Sequence, residues 1–324
     1  MCHEALSNEE SLTNRFAKHR IKVLVIGSTG FIGSRVMTEL DSCDNVEVSI
    51  MTRRRYSVPN HPRIKVLLGD VTDLTSLNLA IRDFEVVVNA ASYVGDDPLR
   101  AQQVNHLGAE NVAHAWKSSG ARKLIHISTT AVYGTGPHRS HPANPTVYKP
   151  DSVVSQTRAA GEASILNLGG IVIRPNLIYG PGDQWFIPGI IRLFRTLGTQ
   201  IDNGAAKISV VDVADLGRLV SALATSPAPL DGAFHAANPT PTTLARLAYT
   251  IRREVSPLQI EGTTTLDEAV RILEPAGFRP HQVKMVGMDH HYESQNLWDL
   301  AELGKTSPTI SREAVDWYRL VAKI

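Results

Sequence analysis

A short apolar run followed at once by three regularly spaced glycines constrains the fold of this chain more than any other feature. Residues 22–26 read Lys-Val-Leu-Val-Ile, which is typical of a buried parallel strand. Gly27, Gly30 and Gly33 follow, and residues 34–40 form an amphipathic segment. In this arrangement the first glycine allows a tight turn, the second admits a pyrophosphate, and the third lets a helix pack on the strand. The pattern predicts a strand, a phosphate-binding turn and a helix.

Four more apolar segments follow, at intervals that leave room for helices between them. They cover residues 46–51, 64–68, 85–88 and 123–127. Strands that alternate with helices form parallel sheets through right-handed crossovers. The pattern therefore predicts an α/β fold, a Rossmann-type doubly wound parallel sheet, whose ligand lies across the carboxyl ends of the strands.

The composition excludes several partners and locations. The 324 residues are 43% hydrophobic and 20% charged, with a net charge of +1, so we expect neither nucleic acid nor a membrane as a partner. Two cysteines cannot form a disulfide framework, and the first twenty residues are too polar for a secretory signal. We find no apolar run near the roughly 20 residues that span a bilayer. These observations favour a cytoplasmic protein.

A basic turn follows the second predicted strand, with the sequence Thr-Arg-Arg-Arg at residues 52–55. Proteins that bind NAD through this fold usually place Asp or Glu here to accept hydrogen bonds from the ribose 2′-hydroxyl. A guanidinium fork instead suits a 2′-phosphate in charge and shape. We therefore predict that Arg53 and Arg54 bind NADP(H) in preference to NAD(H). The alternative is a solvated basic turn without a ligand.

Six motifs then occur in a recognisable order. They are Thr-Gly-Phe-Ile-Gly at 29–33, Asp-Val at 70–71, Asn-Ala-Ala at 89–91, Ser-Thr-Thr-Ala-Val-Tyr-Gly at 128–134, Arg-Pro at 174–175 and Tyr-Gly-Pro-Gly at 179–182. In wording and spacing they resemble the extended short-chain dehydrogenase/reductases, which are NAD-dependent epimerase/dehydratase-like proteins. The resemblance covers residues 21–320.

The resemblance implies a division of the chain. Residues 21–179 and 206–236 would form the NADP-binding Rossmann domain. Residues 180–205 and 237–324 would form a smaller C-terminal substrate-binding domain, or lid, to which a predicted helix around residues 265–273 belongs. Residues 1–20 remain as a polar N-terminal arm outside the resemblance.

The resemblance also implies which residues contact ligands. Substrate contacts are expected from Tyr93, Trp185 and Phe186. Cofactor contacts are expected from Gly27, Ser28, Thr29, Gly30, Phe31, Ile32, Arg53, Arg54, Asp70, Val71, Ala90, Ala91, Ser92, Arg158, Pro175 and Asn176.

The active-site helix of the family normally carries a Tyr-x-x-x-Lys pair, and this chain departs from that pattern. Aligned on the flanking segments, Val154 occupies the tyrosine position and Arg158 the lysine position. Valine has no proton to give, and arginine is no base at neutral pH because its pKa exceeds about 12. The resemblance assigns the substrate carbonyl to Thr129, with Ser128 beside it.

A reductase without this tyrosine can remain active if another group supplies the proton. Candidate sources are ordered water, a phenolic hydroxyl of the substrate itself, or one of the side chains Ser92, Tyr93, Tyr148, Ser152 and Asn176. We therefore predict an NADPH-dependent ketoreductase of an aromatic or polycyclic ketone, acting as a monomer or homodimer. In this respect the chain resembles the ketoreductases that lack the catalytic triad and tailor aromatic polyketides, including angucyclinones.

Two alternatives stay open at this point. One is a non-catalytic NADP(H)-binding sensor or scaffold, and the other is a nucleotide-sugar epimerase or dehydratase. The histidines do not favour either of these two alternatives. We expect His126 to be a core residue, His138 and His141 to face solvent, and the Asp-His-His run at 289–291 to bind no metal.

Overall fold

The computed structural model describes residues 19–54, 58, 61–144, 147–304, 306 and 309–321. Nearly all of the predicted N-terminal arm, residues 1–20, and Arg55 of the basic turn lie outside the described residues. The strands, in chain order, are β1 (Ile21–Ile26), β2 (Val46–Thr52), β3 (Lys65–Leu68), β4 (Val86–Asn89), β5 (Lys123–Ile127), β6 (His138–His141), β7 (Ile171–Pro175), β8 (Leu177–Tyr179), β9 (Gln200–Ile201), β10 (Lys207–Ile208), β11 (Val210–Asp212), β12 (Gly232–Ala236), β13 (Thr242–Thr243), β14 (Thr263–Thr264) and β15 (His290–Tyr292).

Helices connect most of these strands. In chain order they are α1 (Phe31–Asp41), α2 (Leu74–Ile81), α3 (Pro98–Ala101), α4 (Gly108–Ser119), α5 (Val153–Asn167), α6 (Phe186–Leu197), α7 (Val213–Thr225), α8 (Leu244–Glu254), α9 (Leu266–Leu273), α10 (Pro280–Gly287), α11 (Gln295–Leu300) and α12 (Arg312–Val321). A π-helical turn, Gln102–Leu107, joins α3 to α4. The predicted helix around residues 265–273 is confirmed as α9.

Seven strands form one parallel sheet in the order β3-β2-β1-β4-β5-β7-β12. The five strands predicted between residues 22 and 127 are all present, with ends that differ by at most one residue. The predicted Rossmann-type doubly wound parallel sheet is confirmed. The strand order reverses between β1 and β4, and such a reversal opens a crevice at the carboxyl ends of the strands.

Apolar layers cover both faces of this sheet. Val36 of α1 and Leu219 of α7 belong to the layer on one face, and Leu77 of α2 and Val112 of α4 belong to the layer on the other. All four side chains are fully buried. Burying one aliphatic side chain of this size contributes about 1.5–3 kcal/mol, so the two layers hold β1 and the loop that follows it firmly in place.

A third apolar cluster lies among the C-terminal elements. It joins α6, α8, α9, α10 and α12 through side chains such as Ile187, Leu247, Leu273, Val283 and Val315. A small sheet with the order β13-β10-β15-β6 accompanies these helices. The division of the chain into cofactor and substrate domains stays a prediction. Within the described ranges, no helix is both long and apolar enough to cross a bilayer.

The expectation that His138 and His141 face solvent is wrong for His138. These residues bound β6, which pairs in parallel with β15. His138 is buried, and its ring centroid lies 5.9 Å from that of Tyr133 and 5.7 Å from that of Tyr292. The expectation failed because the partner strand lies far along the chain and because aromatic rather than aliphatic side chains bury this segment.

Candidate functional site

The loop after β1 has no room for a side chain at two of its glycines. Gly27 has a φ of +81°, and a Cβ there would lie 2.5 Å from the backbone nitrogen of Ala91. A Cβ at Gly33 would lie 2.2 Å from the carbonyl oxygen of Gly27. A Cβ at Gly30 would lie at an ordinary 3.4 Å from that oxygen. The loop is thus packed tightly against the β4 loop and α1, while the backbone at Gly30 can approach a phosphate.

A cavity of about 220 Å³ lies along this loop at the carboxyl edge of the sheet. The structure brings many of the predicted ligand-binding residues together around it. These are Gly27, Thr29, Gly30, Arg53, Asp70, Val71, Ala90, Ala91, Ser92 and Tyr93. The cavity is also lined by residues that we did not predict from the sequence, namely Ile26, Met51, Thr52, Gly69, Arg100 and Val104.

Other predicted ligand-binding residues lie outside the lining of this cavity. They are Ser28, Phe31, Ile32, Arg54, Arg158, Pro175, Asn176, Trp185 and Phe186. Their roles stay predictions.

Two side chains fix the loop after β3. Oδ1 of Asp70 accepts hydrogen bonds from the backbone nitrogen and the hydroxyl of Thr72, both at 2.9 Å. Nδ2 of Asn111 donates to the carbonyl oxygen of Val71 at 3.0 Å. The wall expected to contact adenine is therefore held in one conformation, with the second carboxylate oxygen of Asp70 left for a ligand.

The residues present fit a dinucleotide, and the preference for its phosphorylated form stays a prediction. Arg53 is exposed and lines the cavity, at the position where an acid would favour a free ribose hydroxyl. Ser28 after β1 and Ser128 after β5 have buried hydroxyls without a hydrogen-bond partner among the described residues. A buried polar group without a partner costs about 1–3 kcal/mol, so a ligand at this edge of the sheet would stabilise both loops.

The loop after β5 carries the predicted carbonyl-binding residue. Thr129 is half-buried, and its Oγ1 accepts a hydrogen bond from the backbone nitrogen of Ala131 at 3.2 Å. The hydroxyl hydrogen is therefore free to donate to another oxygen. The backbone nitrogen of Ser128 donates to the carbonyl oxygen of Ile173 at 2.7 Å, which ties the loop to β7.

Arg158 is bound to the backbone of the same loop. It lies on α5, and its Nη2 donates to the carbonyl oxygens of Ile127 at 3.0 Å and Ser128 at 2.8 Å. Burial lowers the pKa of Arg158 to about 10, so the side chain stays charged at neutral pH. Val154, half-buried, precedes it by one helical turn. The equivalence of these two residues with the tyrosine and lysine of the family stays a prediction.

His126 lies beside Arg158 in the interior of β5. Oδ1 of Asn89 accepts from the backbone nitrogen of Ala91, so its Nδ2 faces Nδ1 of His126, at 3.2 Å. Burial, together with the charge of Arg158, lowers the pKa of His126 to about 3. The imidazole is neutral at physiological pH, and the prediction of a core histidine is confirmed.

Three of the alternative proton sources are held in structural hydrogen bonds. Ser152 caps α5 by exchanging hydrogen bonds with Ser155. Asn176 accepts from the hydroxyl of Thr130 at 2.7 Å and donates to the carbonyl oxygen of Ser209 at 2.8 Å. The third, Tyr148, forms a hydrogen bond with the buried carboxylate of Glu162 on α5, and burial together with this carboxylate raises the pKa of Tyr148.

The two remaining sources, Ser92 and Tyr93, line the cavity. The backbone of Tyr93 is fixed by Asn105 of the π-helical turn, which accepts from its nitrogen at 2.7 Å and donates to its oxygen at 2.9 Å. The hydroxyl of Tyr93 accepts from the backbone nitrogen of Asp97 at 3.2 Å, so its own hydrogen can still be donated.

A buried carboxylate organises the turn that carries the predicted aromatic substrate contacts. Asp183 accepts hydrogen bonds from the backbone nitrogens of Trp185 and Phe186, both at 2.8 Å. The hydroxyl of Tyr318 on α12 donates to Asp183 at 2.6 Å. Trp185 is exposed, whereas Phe186 packs against the C-terminal apolar cluster. The two side chains therefore have different surroundings, since Trp185 faces solvent and Phe186 faces the apolar cluster.

No group of three or more His, Cys, Asp or Glu side chains that could hold a metal occurs in the part of the chain that the structure describes. His290 and Asp289 have other partners. His290 is buried in the small sheet, and Asp289 accepts from Nε of Arg139 at 2.7 Å.

Comparisons with known proteins agree with this geometry. The model of the NAD dependent epimerase/dehydratase family matches residues 23–234. The chain is 26% identical over 206 residues to a 3 beta-hydroxysteroid dehydrogenase/Delta 5-->4-isomerase of Mycobacterium tuberculosis, which covers 58% of this chain and 54% of that protein. The match thus spans about half the length of that relative.

Two further comparisons cover more of the chain. It is 26% identical over 325 aligned positions to a sterol-4-alpha-carboxylate 3-dehydrogenase, decarboxylating, of Mus musculus, covering 88% of this chain and 86% of that protein. The structure of a UDP-N-acetylglucosamine 4-epimerase from Methanobrevibacter ruminantium M1 has a TM-score of 0.72 at 20% identity, covering 94% of this chain and all of that one. The family match covers more than half of the chain, from β1 into β12. The chain belongs to the NAD dependent epimerase/dehydratase family.

Proposed function

We propose that this protein is an NADP(H)-dependent oxidoreductase that reduces a ketone to an alcohol. The observation that carries the proposal is the cleft in which the glycine loop, Asp70 and Arg53 lie together. An arginine at the end of β2 favours a 2′-phosphate over a free ribose hydroxyl. The relatives from Mycobacterium tuberculosis and Mus musculus are both named dehydrogenases, which supports redox chemistry at a CH–OH or C=O group.

Each wall of the cleft has a role in this proposal. The backbone at Gly27 and Gly30 binds the pyrophosphate at the N-terminus of α1, Asp70 and Val71 contact adenine, and Arg53 binds the 2′-phosphate. Arg158, which lies outside the cavity lining, contacts the ribose through nitrogens other than the Nη2 that binds the backbone. When bound, the nicotinamide supplies the hydride.

The protein's own contribution to the reaction is to hold and polarise the carbonyl group. Thr129 donates its free hydroxyl hydrogen to the carbonyl oxygen, and a positioned donor of this kind accelerates such reactions by about 10²–10³. Val154 provides no proton. The lost general acid would have supplied about 10²–10⁴ in rate, so the proton comes from the substrate, from water, or from Ser92 or Tyr93.

We propose an aromatic polyketide-type ketone as the substrate. Val94, Leu99 and Trp185 are 64%, 76% and 75% exposed. Val94 lies in the loop after β4, Leu99 in the short helix α3, and Trp185 in the turn between β8 and α6. Large apolar side chains that stay exposed beside a cleft are typical of a binding surface for apolar ligands. A phenolic hydroxyl next to the ketone of such a substrate already shares its proton with the carbonyl oxygen, so a tyrosine at position 154 is not required.

A non-catalytic NADP(H)-binding protein is the second candidate. Its supporting observation is that Arg158 uses Nη2 to bind the carbonyl oxygens of Ile127 and Ser128, which is a structural role. A nucleotide-sugar epimerase or dehydratase is the third, in view of the fold shared with a UDP-N-acetylglucosamine 4-epimerase. Such an enzyme needs a base for a sugar hydroxyl, and neither Val154 nor Arg158 is one.

A turnover assay distinguishes the candidates. The protein is incubated with NADPH and a panel of hydroxylated quinone ketones, and absorbance at 340 nm is followed against a reaction without protein. A parallel reaction contains nucleotide sugars in place of the ketones. A steady protein-dependent loss of absorbance supports the ketoreductase. Tight NADPH binding without turnover for every ketone supports the binding protein, and interconversion of a nucleotide sugar without net NADPH loss supports the epimerase.

A further inference from the structure

The residues that line the proposed cofactor cleft include a second arginine, Arg100. This residue lies in α3, and it lines the same cavity of about 220 Å³ as Arg53. Within the described residues, neither arginine forms an ion pair with a carboxylate. Two unpaired cations in one small cleft repel each other, and a bound anion relieves that repulsion.

The carboxylates nearest to Arg100 in the chain are bound to other groups. Oδ1 of Asp96 pairs with Nη2 of Arg279 at 2.8 Å. Oδ1 of Asp97 caps α3 by accepting from the backbone nitrogens of Leu99 and Arg100, at 3.0 and 3.2 Å. The side chain of Arg100 is therefore left without a local counter-ion, although two acids lie within four residues of it.

The loop before Arg100 holds the side chain in position. Its guanidinium carbon lies 5.4 Å from the ring centroid of Tyr93, within the range of a cation–π contact. The half-buried Tyr93 ring itself packs against Gly95, where a Cβ would lie 2.3 Å from its hydroxyl oxygen. The hydroxyl accepts from the backbone nitrogen of Asp97. A fixed ring restricts the rotamers of the arginine and so lowers the entropy lost when a ligand binds.

We propose that Arg100 is a second phosphate anchor for the dinucleotide, acting together with Arg53. The inference rests on the proposed NADP(H)-binding function and adds to it a residue and a specific contact. The one acidic side chain in the cavity lining, Asp70, uses one oxygen on Thr72. A guanidinium fork binds phosphate oxygens in a bidentate manner, and both the 2′-phosphate and the pyrophosphate offer such oxygens.

Calorimetric titration of full-length variants tests this inference. Arg53→Ala, Arg100→Ala, Arg100→Lys and the control Arg82→Ala are titrated with NADPH, NADH and adenosine. Arg82 is a suitable control because it is an exposed arginine outside the cavity lining. We expect Arg100→Ala to weaken NADPH binding by about 10- to 100-fold, Arg100→Lys to weaken it less, and Arg82→Ala to leave it unchanged. Adenosine binding should be the same in all four proteins.

Each outcome has a defined meaning. A loss confined to NADPH places Arg100 on the 2′-phosphate, and an equal loss for NADPH and NADH places it on the pyrophosphate; both support the anchor. Unchanged NADPH affinity in Arg100→Ala, or an equal loss of adenosine affinity, overturns it. If Arg53→Ala weakens NADPH binding while Arg100→Ala does not, the inference fails and the proposed function stands. If the unaltered protein binds neither dinucleotide, the proposed function fails first.

Discussion

Arg158 combines a backbone contact with a position expected to face the ribose. Its Nη2 binds the carbonyl oxygens of Ile127 and Ser128, which are the last residue of β5 and the first residue of the loop that carries Thr129. A lysine at this position has three donors on one nitrogen, whereas an arginine has a planar fork with five. The fork allows one side chain to brace the carbonyl-binding loop and still have nitrogens left for a ligand.

Replacing Arg158 tests how much its hydrogen bonds to the backbone stabilise the fold. Arg158→Met removes both hydrogen bonds, each made by a charged donor, so we expect the free energy of unfolding to fall by about 2–4 kcal/mol. Arg158→Lys keeps the charge, and its free energy of unfolding should fall by about half as much. Urea denaturation followed by circular dichroism measures both values. A loss below about 0.5 kcal/mol in the methionine variant, the range of ordinary surface substitutions, would show that the two contacts are dispensable.

Position 154 tests whether the site needs a phenol at all. We expect Val154→Tyr to raise kcat by less than about threefold, well below the 10²–10⁴ that a general acid supplies, because a tyrosine there occupies space that the native ligand uses. Val154→Phe is the matched control, since it adds the same ring without the hydroxyl. Steady-state rates with NADPH and an active ketone provide the comparison. A gain of a hundredfold in the tyrosine variant alone would mean that the site is a decayed version of the usual one.

Buried histidines should make the protein sensitive to mild acid. Burial lowers the pKa of His126 and of His235 to about 3, from an unfolded value of about 6.5. The unfolded state therefore binds more protons than the folded state below pH 6.5. The two neutral histidines therefore make their full contribution to the free energy of unfolding above pH 6.5, and this contribution falls as the pH drops toward 3.

We expect the free energy of unfolding to fall by about 1.2 kcal/mol for each of the two histidines between pH 6 and pH 5. Urea titrations at pH 7.5, 6.0 and 5.0 measure this slope. The variants His126→Asn and His235→Asn should each have a shallower slope than the parent. An unaltered slope in both variants would assign the acid sensitivity to other groups.

At the scale of secondary-structure elements, α5 packs tightly against the π-helical turn. Asn105 of the turn is buried, and it binds the backbone of Tyr93 in the cleft and the hydroxyl of Thr157 on α5. Gly161 of α5 lies against the same turn, where a Cβ would lie 2.1 Å from the carbonyl oxygen of Asn105. The contact connects the predicted active-site helix to the loop that lines the cleft.

A methyl group at this contact should therefore destabilise the fold. We expect Gly161→Ala to lower the free energy of unfolding by about 3 kcal/mol, at the upper end of the range for overpacking. Gly189→Ala in α6 is the matched helical control, because its Cβ would meet nothing within 4 Å, and it should stabilise by about 0.5–1 kcal/mol. Urea midpoints of the two variants give the comparison. A Gly161→Ala variant as stable as the parent would mean that the π-helical turn can shift away from α5 at little cost in free energy.

Elements with strong local signals could be predicted from the sequence, and the others could not. The strands from residue 22 to residue 127 are short apolar runs, so their ends were predicted to within one residue. β6 contains His138, Arg139, Ser140 and His141 and has no such run; its partner β15 is equally polar. The pairing depends on contacts between histidine and tyrosine rings distant in sequence, which no local pattern reports.

For the molecule as a whole, the glycine loop and its neighbours on the cleft were predictable because the family motifs that form them lie at or just after the ends of strands. The cavity lining contains the predicted Arg53, Asp70 and Ala90. Arg100 was missed, although the Asp-Asp-Pro run at 96–98 signals a helix start just before it. The hydrogen bonds of Arg158 to two backbone carbonyl groups were also beyond prediction, because residue type alone does not determine which acceptors a guanidinium reaches.

The proposed function is tested most directly by transfer of a labelled hydrogen. The protein is incubated with NADPH that carries deuterium at C4 of the nicotinamide, on one face and then on the other, together with an aromatic hydroxyketone. The account predicts one deuterium at the carbinol carbon of the product from one of the two labelled cofactors, seen by mass spectrometry and NMR. Tight binding of NADPH with no labelled alcohol from any ketone of the panel would contradict it.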